Sequence, residues 1–395
     1  MSEEYRLPYF HGALLNEDAD KLLTIDGDFL LQSKCASDKV NKILLLAGRL
    51  FPNIEKLITY YKKNNLECVG GEQIKLKRAI VKGKFQLNHS DIKIMKKIGC
   101  GAYGTVYKGL LLRNLAPVAI KRIDCYDKTE QTLIDMMKEA RVMQLYDHIN
   151  VVRFFGFIVD RAPYLLVMEY CKDGSVENKL RTGGKRISIP ARVNIAYQVS
   201  CGLEYLHSKM CIHRDIATRN CLLSGNIVKL ADFGMCRATV VYKIDLSKPL
   251  NVRWLAPEVW RSGETRFCTD IYAFAITLWE LFEIPYIHPY STWKAYKVKE
   301  KVMAGYRLPN ASDMPDDVAT LMRKCWDHDP TRRPSAKEVR IELGKINKKF
   351  NGDDDIHTAI FSSSLVFDDS VLSSSQAGYS RDFSTMQLSS FRKSR

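Results

Sequence analysis

The sequence has no Cys-x-x-Cys pair among its 11 cysteines and no histidine partner at zinc-ligand spacing, which excludes a structural zinc module. The odd count, spread from Cys35 to Cys325, argues against a disulfide framework and for reduced thiols, a cytoplasmic pattern. Long hydrophobic runs are missing too: KILLLAG and IYAFAITLWELF are too short or too polar to span a bilayer. The opening MSEEYRLPYF lacks a cationic, apolar leader, and Ser2 stands where myristoylation requires glycine, so neither secretion nor a membrane span is expected. No compact Lys/Arg run interleaved with aromatics occurs, so nucleic acid is not an expected partner.

What remains is a chain of 395 residues, 46% hydrophobic and 27% charged, enough to bury a core and divide into two or three domains. Its net charge of +15 is unevenly placed: residues 1–90 carry +3, residues 91–350 carry +14 and residues 351–395 carry −2. A basic middle segment without a nucleic-acid signature suits anionic substrates or phosphates in a cleft.

The Lys-rich stretch from Ile74 to Asp91 reads as a linker. Beyond Asp91, IKIMKKIG, VYKGLL and VAIKRI alternate with period two and predict a small antiparallel sheet. The spacing turns helical from Thr129 to Tyr146, and long helical segments such as ARVNIAYQVSCGLEYLHSK and TDIYAFAITLWELF follow Pro190. Strands first and helices after predict two unequal lobes. From Gly352 onward 12 serines fall among 44 residues, together with the acidic run Asp353 to Asp355, and a disordered tail is expected.

Within IGCGAYGTVYKG, Gly99, Gly101 and Gly104 fall on a strand, a turn and a second strand, where backbone amides can lie over phosphates. Lys121 on a following strand can reach the first two phosphates, and Glu139 on the next helix can hold it by an ion pair. IHRDIATRN supplies His213, Arg214, Asp215, Arg219 and Asn220, with Asp232 of ADFG 12 residues beyond Asn220. Phosphoryl transfer needs a carboxylate to orient and deprotonate the attacking hydroxyl, the role that fits Asp215. It also needs hard oxygen ligands for Mg²⁺, which Asn220 and Asp232 provide.

Taken in order, these motifs and APE at Ala256, Pro257 and Glu258 resemble those of the eukaryotic protein kinase domain over residues 92–348. The resemblance implies an α+β, two-lobed fold, a small antiparallel β lobe and a larger helical lobe, with ATP and Mg²⁺ (Mn²⁺ as an alternative) in the cleft. Nucleotide contacts fall by this resemblance to the glycine loop, Ile98, Gly99, Cys100, Gly101, Ala102, Tyr103 and Gly104. Val106, Ala119 and Lys121 join them, with Met168 as gatekeeper and the hinge from Glu169 to Cys171. Asp270 resembles the anchor of the catalytic loop, and Arg333 the partner of Glu258.

Arg219 four positions after Asp215, Ala217 in place of a lysine, NVRWLAPE and the Cys325–Trp326 pair resemble the tyrosine class, in which Arg219 assists charge at transfer. Asn251 departs from that pattern, standing where tyrosine kinases usually have proline. Tyr242 is the single tyrosine between Asp232 and Glu258; once phosphorylated it could pair with Arg214 and Arg237 and order the segment.

Residues 9–70 resemble a shortened Src-homology-2 domain, itself α+β, through YFHG, EDADKLL, GDFLLQS and LITYY, with residues 71–91 as a basic linker. Gln32 stands at the family's phosphate-gripping arginine and Asn16 at a second basic position, so the charge-assisted bond to phosphotyrosine is missing. Two readings stay open: an element that braces the small lobe, or a phosphopeptide reader using Lys34 or Lys39. The order of modules and DFGMCR resemble the Fes/Fer non-receptor tyrosine kinases, whose long coiled-coil region would precede the start of this chain. The expected function is transfer of the ATP γ-phosphoryl group to tyrosines of protein substrates in cytoplasmic signalling, with recruitment to the inner face of the plasma membrane through partners. The alternatives are a catalytically silent scaffold and a dual-specificity kinase.

Overall fold

Alternating apolar side chains from Ile92 onward fold into a six-stranded sheet in a computed structural model that describes residues 7–25, 28–32, 44–46, 49–67, 73–101, 104–123, 130–247 and 250–352. Across the sheet the strands run Gln86–Leu87, Phe154–Ile158, Tyr164–Glu169, Ala116–Ile123, Gly104–Leu111 and Ile92–Gly101. All neighbours are antiparallel except the first pair. One face buries Val118 and Ile120 with Leu111, Ile158, Leu165 and Val167, each contributing about 1.5–3 kcal/mol. Ala119 and Lys121 alternate onto the other face, so the same period that builds the core aims the lysine at the cleft.

The helix Glu130–Met143 buries Leu133, Met136, Met137, Ala140 and Met143, a single apolar stripe at helical spacing. In the larger lobe, Ser188 caps Ile189–Ser208 by accepting from Ala191 N at 3.3 Å, and Pro190 fits the first turn, where no amide donor is needed. Phe267–Phe282 is buried along its whole length from Thr269, as expected of a helix that is apolar on all sides. Ser335 and Glu338 form a reciprocal cap that starts Ala336–Asn351, the helix that packs on Ile189–Ser208.

Among its described residues the N-terminal unit has two helices, Asn16–Leu22 and Ile54–Lys63, around Phe29, Phe51, Leu57, Ile58 and Tyr61. Asn53 opens the second helix by accepting from Lys56 N at 2.9 Å. The segment expected as a linker does more than connect. Arg78–Ala79 pairs parallel with Asp28–Phe29, and Gln86–Leu87 completes the small-lobe sheet with Leu87 buried. Lysines around these two-residue strands mask them in the sequence, and two residues carry no readable period.

This unit sits directly on the small lobe. Gly12, at φ +65°, comes so close that a Cβ would lie 2.0 Å from Val159 O, and Ala13 N donates to that oxygen at 2.7 Å. His11 Nδ1 and Nε2 lie 2.8 and 2.9 Å from Gln86 Oε1 and Ile80 O. Lys34 and Lys39 lie outside the described residues, as does the serine-rich stretch 353–395. Among the described residues no helix is long and apolar enough to cross a membrane.

Candidate active site

The glycine loop is a hairpin in which Gly99 faces Val106, Cys100 faces Thr105 and Gly101 faces Gly104. Gly104, at φ +122°, passes so near the next strand that a Cβ would sit 2.2 Å from Arg122 O, so this position requires glycine. Ala102 and Tyr103, at the tip, lie outside the described residues. Ile98 and Cys100 are exposed, and Cys100 Sγ lies 3.8 Å from Thr105 Oγ1. Below the loop, Val106 stands opposite Lys121 and Ala119 opposite Met168, so these four share one sheet region. Met168 packs beside Cys171, Val152, Leu222 and Ala231 as an apolar surface next to the hinge. Burial pushes the Cys171 thiol up to about 12, so it behaves as a small apolar group. The Glu169 carboxylate pairs with Lys229 at 3.1 Å.

Lys121 Nζ donates to both Glu139 oxygens, at 2.8 and 2.9 Å, with both residues buried. Burial raises the Glu139 pKa against the pull of Lys121. Removing one partner of a pair like this costs roughly 3–5 kcal/mol, because the other charge stays behind. The pair is therefore a rigid bolt between strand and helix.

Asp270, 1% exposed, accepts the backbone N–H groups of His213 at 2.7 Å and Arg214 at 2.8 Å. These bonds pin a strained loop, with Arg214 at φ +70°, a conformation costing on the order of 1–3 kcal/mol for a residue other than glycine; Asp232, on a separate turn, lies at φ +63°. Asp215 follows Arg214, its carboxylate accepting three side-chain N–H groups. Oδ1 accepts from Arg219 and, at 2.7 Å, from Asn251 Nδ2, while Oδ2 accepts from Asn220 Nδ2 at 2.6 Å. Arg219 also lies over the Trp254 ring at 4.1 Å.

Behind the loop, buried Glu280 accepts from Thr218 Oγ1 at 2.7 Å, Thr218 N at 3.2 Å, Trp254 Nε1 at 3.1 Å and Tyr286 OH at 2.9 Å. Sequence reasoning missed Glu280, since one glutamate inside an apolar helix has no motif; its position within an otherwise apolar run is the only signal.

Asn220 uses only its nitrogen in these bonds, which leaves its side-chain oxygen to a cation. Ala231 N donates to Asn220 O at 2.9 Å, which brings Asp232 beside it. Among the described residues no cluster of three or more His, Cys, Asp or Glu side chains is grouped for a metal. Two oxygen donors fit a hard cation that fills its remaining positions with phosphate and water. Phe233 is buried between Tyr146 and His213, with ring centroids 6.1 and 5.6 Å away, and the preceding Asp232 accepts from Gly234 N at 3.4 Å.

Tyr242 lies under two guanidiniums, Arg214 at 4.5 Å and Arg237 at 4.8 Å. Hydrogen bonding to Arg237 lowers the phenol's pKa, and burial with the nearby Arg237 lowers that of Arg214. Arg333 donates to both Glu258 oxygens at 2.6 and 2.8 Å. In the N-terminal unit, Gln32 is exposed and its amide donates to Leu14 O at 2.9 Å.

A strand-rich lobe, a helical lobe and a cleft lined by a bolted lysine, a pinned carboxylate and two metal-suited oxygens define a protein kinase. The model of the family described as protein tyrosine and serine/threonine kinase matches residues 92–343. The transforming protein Fps, a tyrosine-protein kinase of avian sarcoma virus (strain PRCII), is 32% identical over 364 residues, covering 86% of this chain and 68% of that protein. The tyrosine-protein kinase Fer of Mus musculus is 33% identical over 364 residues, covering 86% of this chain and 44% of Fer. The megakaryocyte-associated tyrosine-protein kinase of Rattus norvegicus is 31% identical over 372 residues, covering 86% of this chain and 78% of the relative. The chain belongs to the protein tyrosine and serine/threonine kinase family, within the Fps/Fer type of tyrosine-protein kinases. It spans less than half the length of Fer. Kinases of this family use ATP and a divalent metal.

Proposed function

We propose that this chain transfers the γ-phosphoryl group of ATP to tyrosine hydroxyls of proteins. The observation that carries the reading is Asp215 held jointly by Arg219 and Asn220, on a loop that Asp270 fixes by its backbone. Asp215 orients the attacking hydroxyl and takes its proton. Lys121, held by Glu139, places the phosphates, and the glycine loop covers them with backbone N–H groups. Asn220 and Asp232 would hold Mg²⁺, with Mn²⁺ as a substitute, and that ion neutralises charge on the phosphates when bound. Arg219 sits 4 residues from the base with its charge free of a lysine competitor, since Ala217 fills that position, and it screens charge developing at transfer.

Tyr242 is the autophosphorylation site in this reading, its phosphate taken by Arg214 and Arg237. Residues 9–70 act as a shortened Src-homology-2-like brace; the bond from Ala13 N to Val159 O, the close approach of Gly12 to the same strand end and the uncharged Gln32 support that over phosphopeptide capture. The partners are tyrosine-bearing proteins met in the cytoplasm and at the inner face of the plasma membrane. The test is turnover of matched tyrosine and serine peptides with Mg²⁺ and ATP. Transfer to the tyrosine peptide by the wild type and none by Asp215→Asn is expected. Equal transfer by both proteins overturns the role of Asp215.

A further inference from the structure

Asn251 does what a proline at its position cannot. It is exposed and lies 36 residues beyond Asp215, immediately before the short turn Val252–Trp254, whose Trp254 N donates to Asn251 O at 3.0 Å. From there its amide donates to Asp215 Oδ1 at 2.7 Å. The same turn carries Trp254, over whose ring Arg219 lies at 4.1 Å, and Arg219 donates to that same oxygen. One turn of the stretch between Asp232 and Glu258, the activation segment, thus restrains Oδ1 twice, directly through Asn251 and indirectly through Trp254 and Arg219. Proline has no side-chain donor and would leave only the indirect restraint.

We propose that Asn251 is a positioning residue for Asp215: it holds the carboxylate in the orientation that meets the acceptor hydroxyl and ties the base to the activation segment. The inference rests on the phosphotransfer reading above. An acceptor hydroxyl must come within roughly 2.6–3.2 Å of Asp215 to give up its proton, so it also arrives beside the Asn251 amide. A carboxamide has two N–H donors and a carbonyl oxygen, and one N–H is used on Asp215. The rest makes the wall beside the hydroxyl polar, where proline would present an apolar surface to the tyrosine ring. The chain therefore combines a tethered base with a weaker apolar grip on the substrate. Because the tether acts on the reacting carboxylate, its loss falls on kcat, whereas an apolar platform falls on the KM for peptide.

The experiment is steady-state turnover of a tyrosine peptide by the full chain and its Asn251→Ala, Asn251→Asp, Asn251→Gln and Asn251→Pro variants, with Asp215→Asn as blank. Thermal unfolding is run alongside and should stay within about 2 °C, as for an exposed substitution. Alanine is expected to lower kcat five- to twentyfold with the KM for ATP within twofold of the wild type. Aspartate, similar in shape but lacking the donor and carrying a like charge, should be worse than alanine, and glutamine should recover part of the loss. Proline should lower kcat as alanine does and lower the KM for peptide. An alanine variant within twofold of wild-type kcat, or an aspartate variant no worse than alanine, overturns the inference alone. A wild type that transfers nothing overturns the phosphotransfer reading and this inference with it.

Discussion

Each carboxylate oxygen of Asp18 accepts one N–H from the Arg141 guanidinium, at 2.8 Å in both cases. Arg141 lies two residues beyond Glu139 on the same helix, so the N-terminal unit grips the element that holds Lys121 in place. The helix bearing Asp18, Asn16–Leu22, has only 7 residues and is held at its start without a side-chain cap, so its contact with Arg141 also fixes its own position.

The pair is partly exposed, and such pairs contribute about 1 kcal/mol or less, a few-fold in how firmly the helix is held where it is. Arg141→Ala is expected to lower peptide turnover two- to fivefold. The exchanged pair, Asp18→Arg with Arg141→Asp, should restore most of it. Full activity of Arg141→Ala in the same assay contradicts coupling between the two units.

Glu280 gives a pH signature. Burial lifts its carboxyl above the ordinary glutamate range although four donors pull it down. A carboxyl raised in the folded state stabilises fully below its unfolded value and loses that contribution as pH rises through the raised value. Glutamine there would set an NH₂ against donors, costing roughly 1–3 kcal/mol. Glu280→Gln should therefore unfold at lower temperature than the wild type, and the gap should narrow as pH rises from the ordinary carboxylate range toward neutrality. A gap that widens with pH contradicts the assignment.

Phosphate on Tyr242 would bring close to two negative charges between Arg214 and Arg237, which already flank the ring. Tyr242→Phe is expected to lower the turnover of enzyme preincubated with ATP severalfold. Unchanged turnover after preincubation removes the regulatory role.

Gln32 offers phosphate no charge and spends its amide on Leu14 O. Titration of the full chain with phosphotyrosine peptides in a calorimeter should give no saturable heat. Micromolar binding that disappears in Lys34→Ala would show a working phosphopeptide reader and contradict the brace.

What could be read beforehand depended on how local the information was. Lys121, Asp215, Asn220 and Asp232 each sit in a short run whose neighbours repeat the message, and the period-two strands around Lys121 announce both the core and the cleft face. The helix expected from Thr129 to Tyr146 is realised as Glu130–Met143, three residues shorter at its C-terminal end. The Asp18–Arg141 bond joins residues 123 apart, and one sequence holds no signal for such a pairing. Asn251 was visible as a departure from the tyrosine-class pattern, but its bond to Asp215 depends on how the turn Val252–Trp254 folds back onto the catalytic loop. The strands Arg78–Ala79 and Gln86–Leu87 hid within a Lys-rich stretch because pairing partners, not composition, made them strands.

The most direct test of the account is to incubate the purified full chain and its Asp215→Asn variant with Mg²⁺ and ATP and to map phosphorylated residues by mass spectrometry. The account predicts phosphate on tyrosine, Tyr242 included, in the wild type and none in the variant. Phosphate confined to serine and threonine, or the same tyrosine phosphate in both proteins, would contradict it.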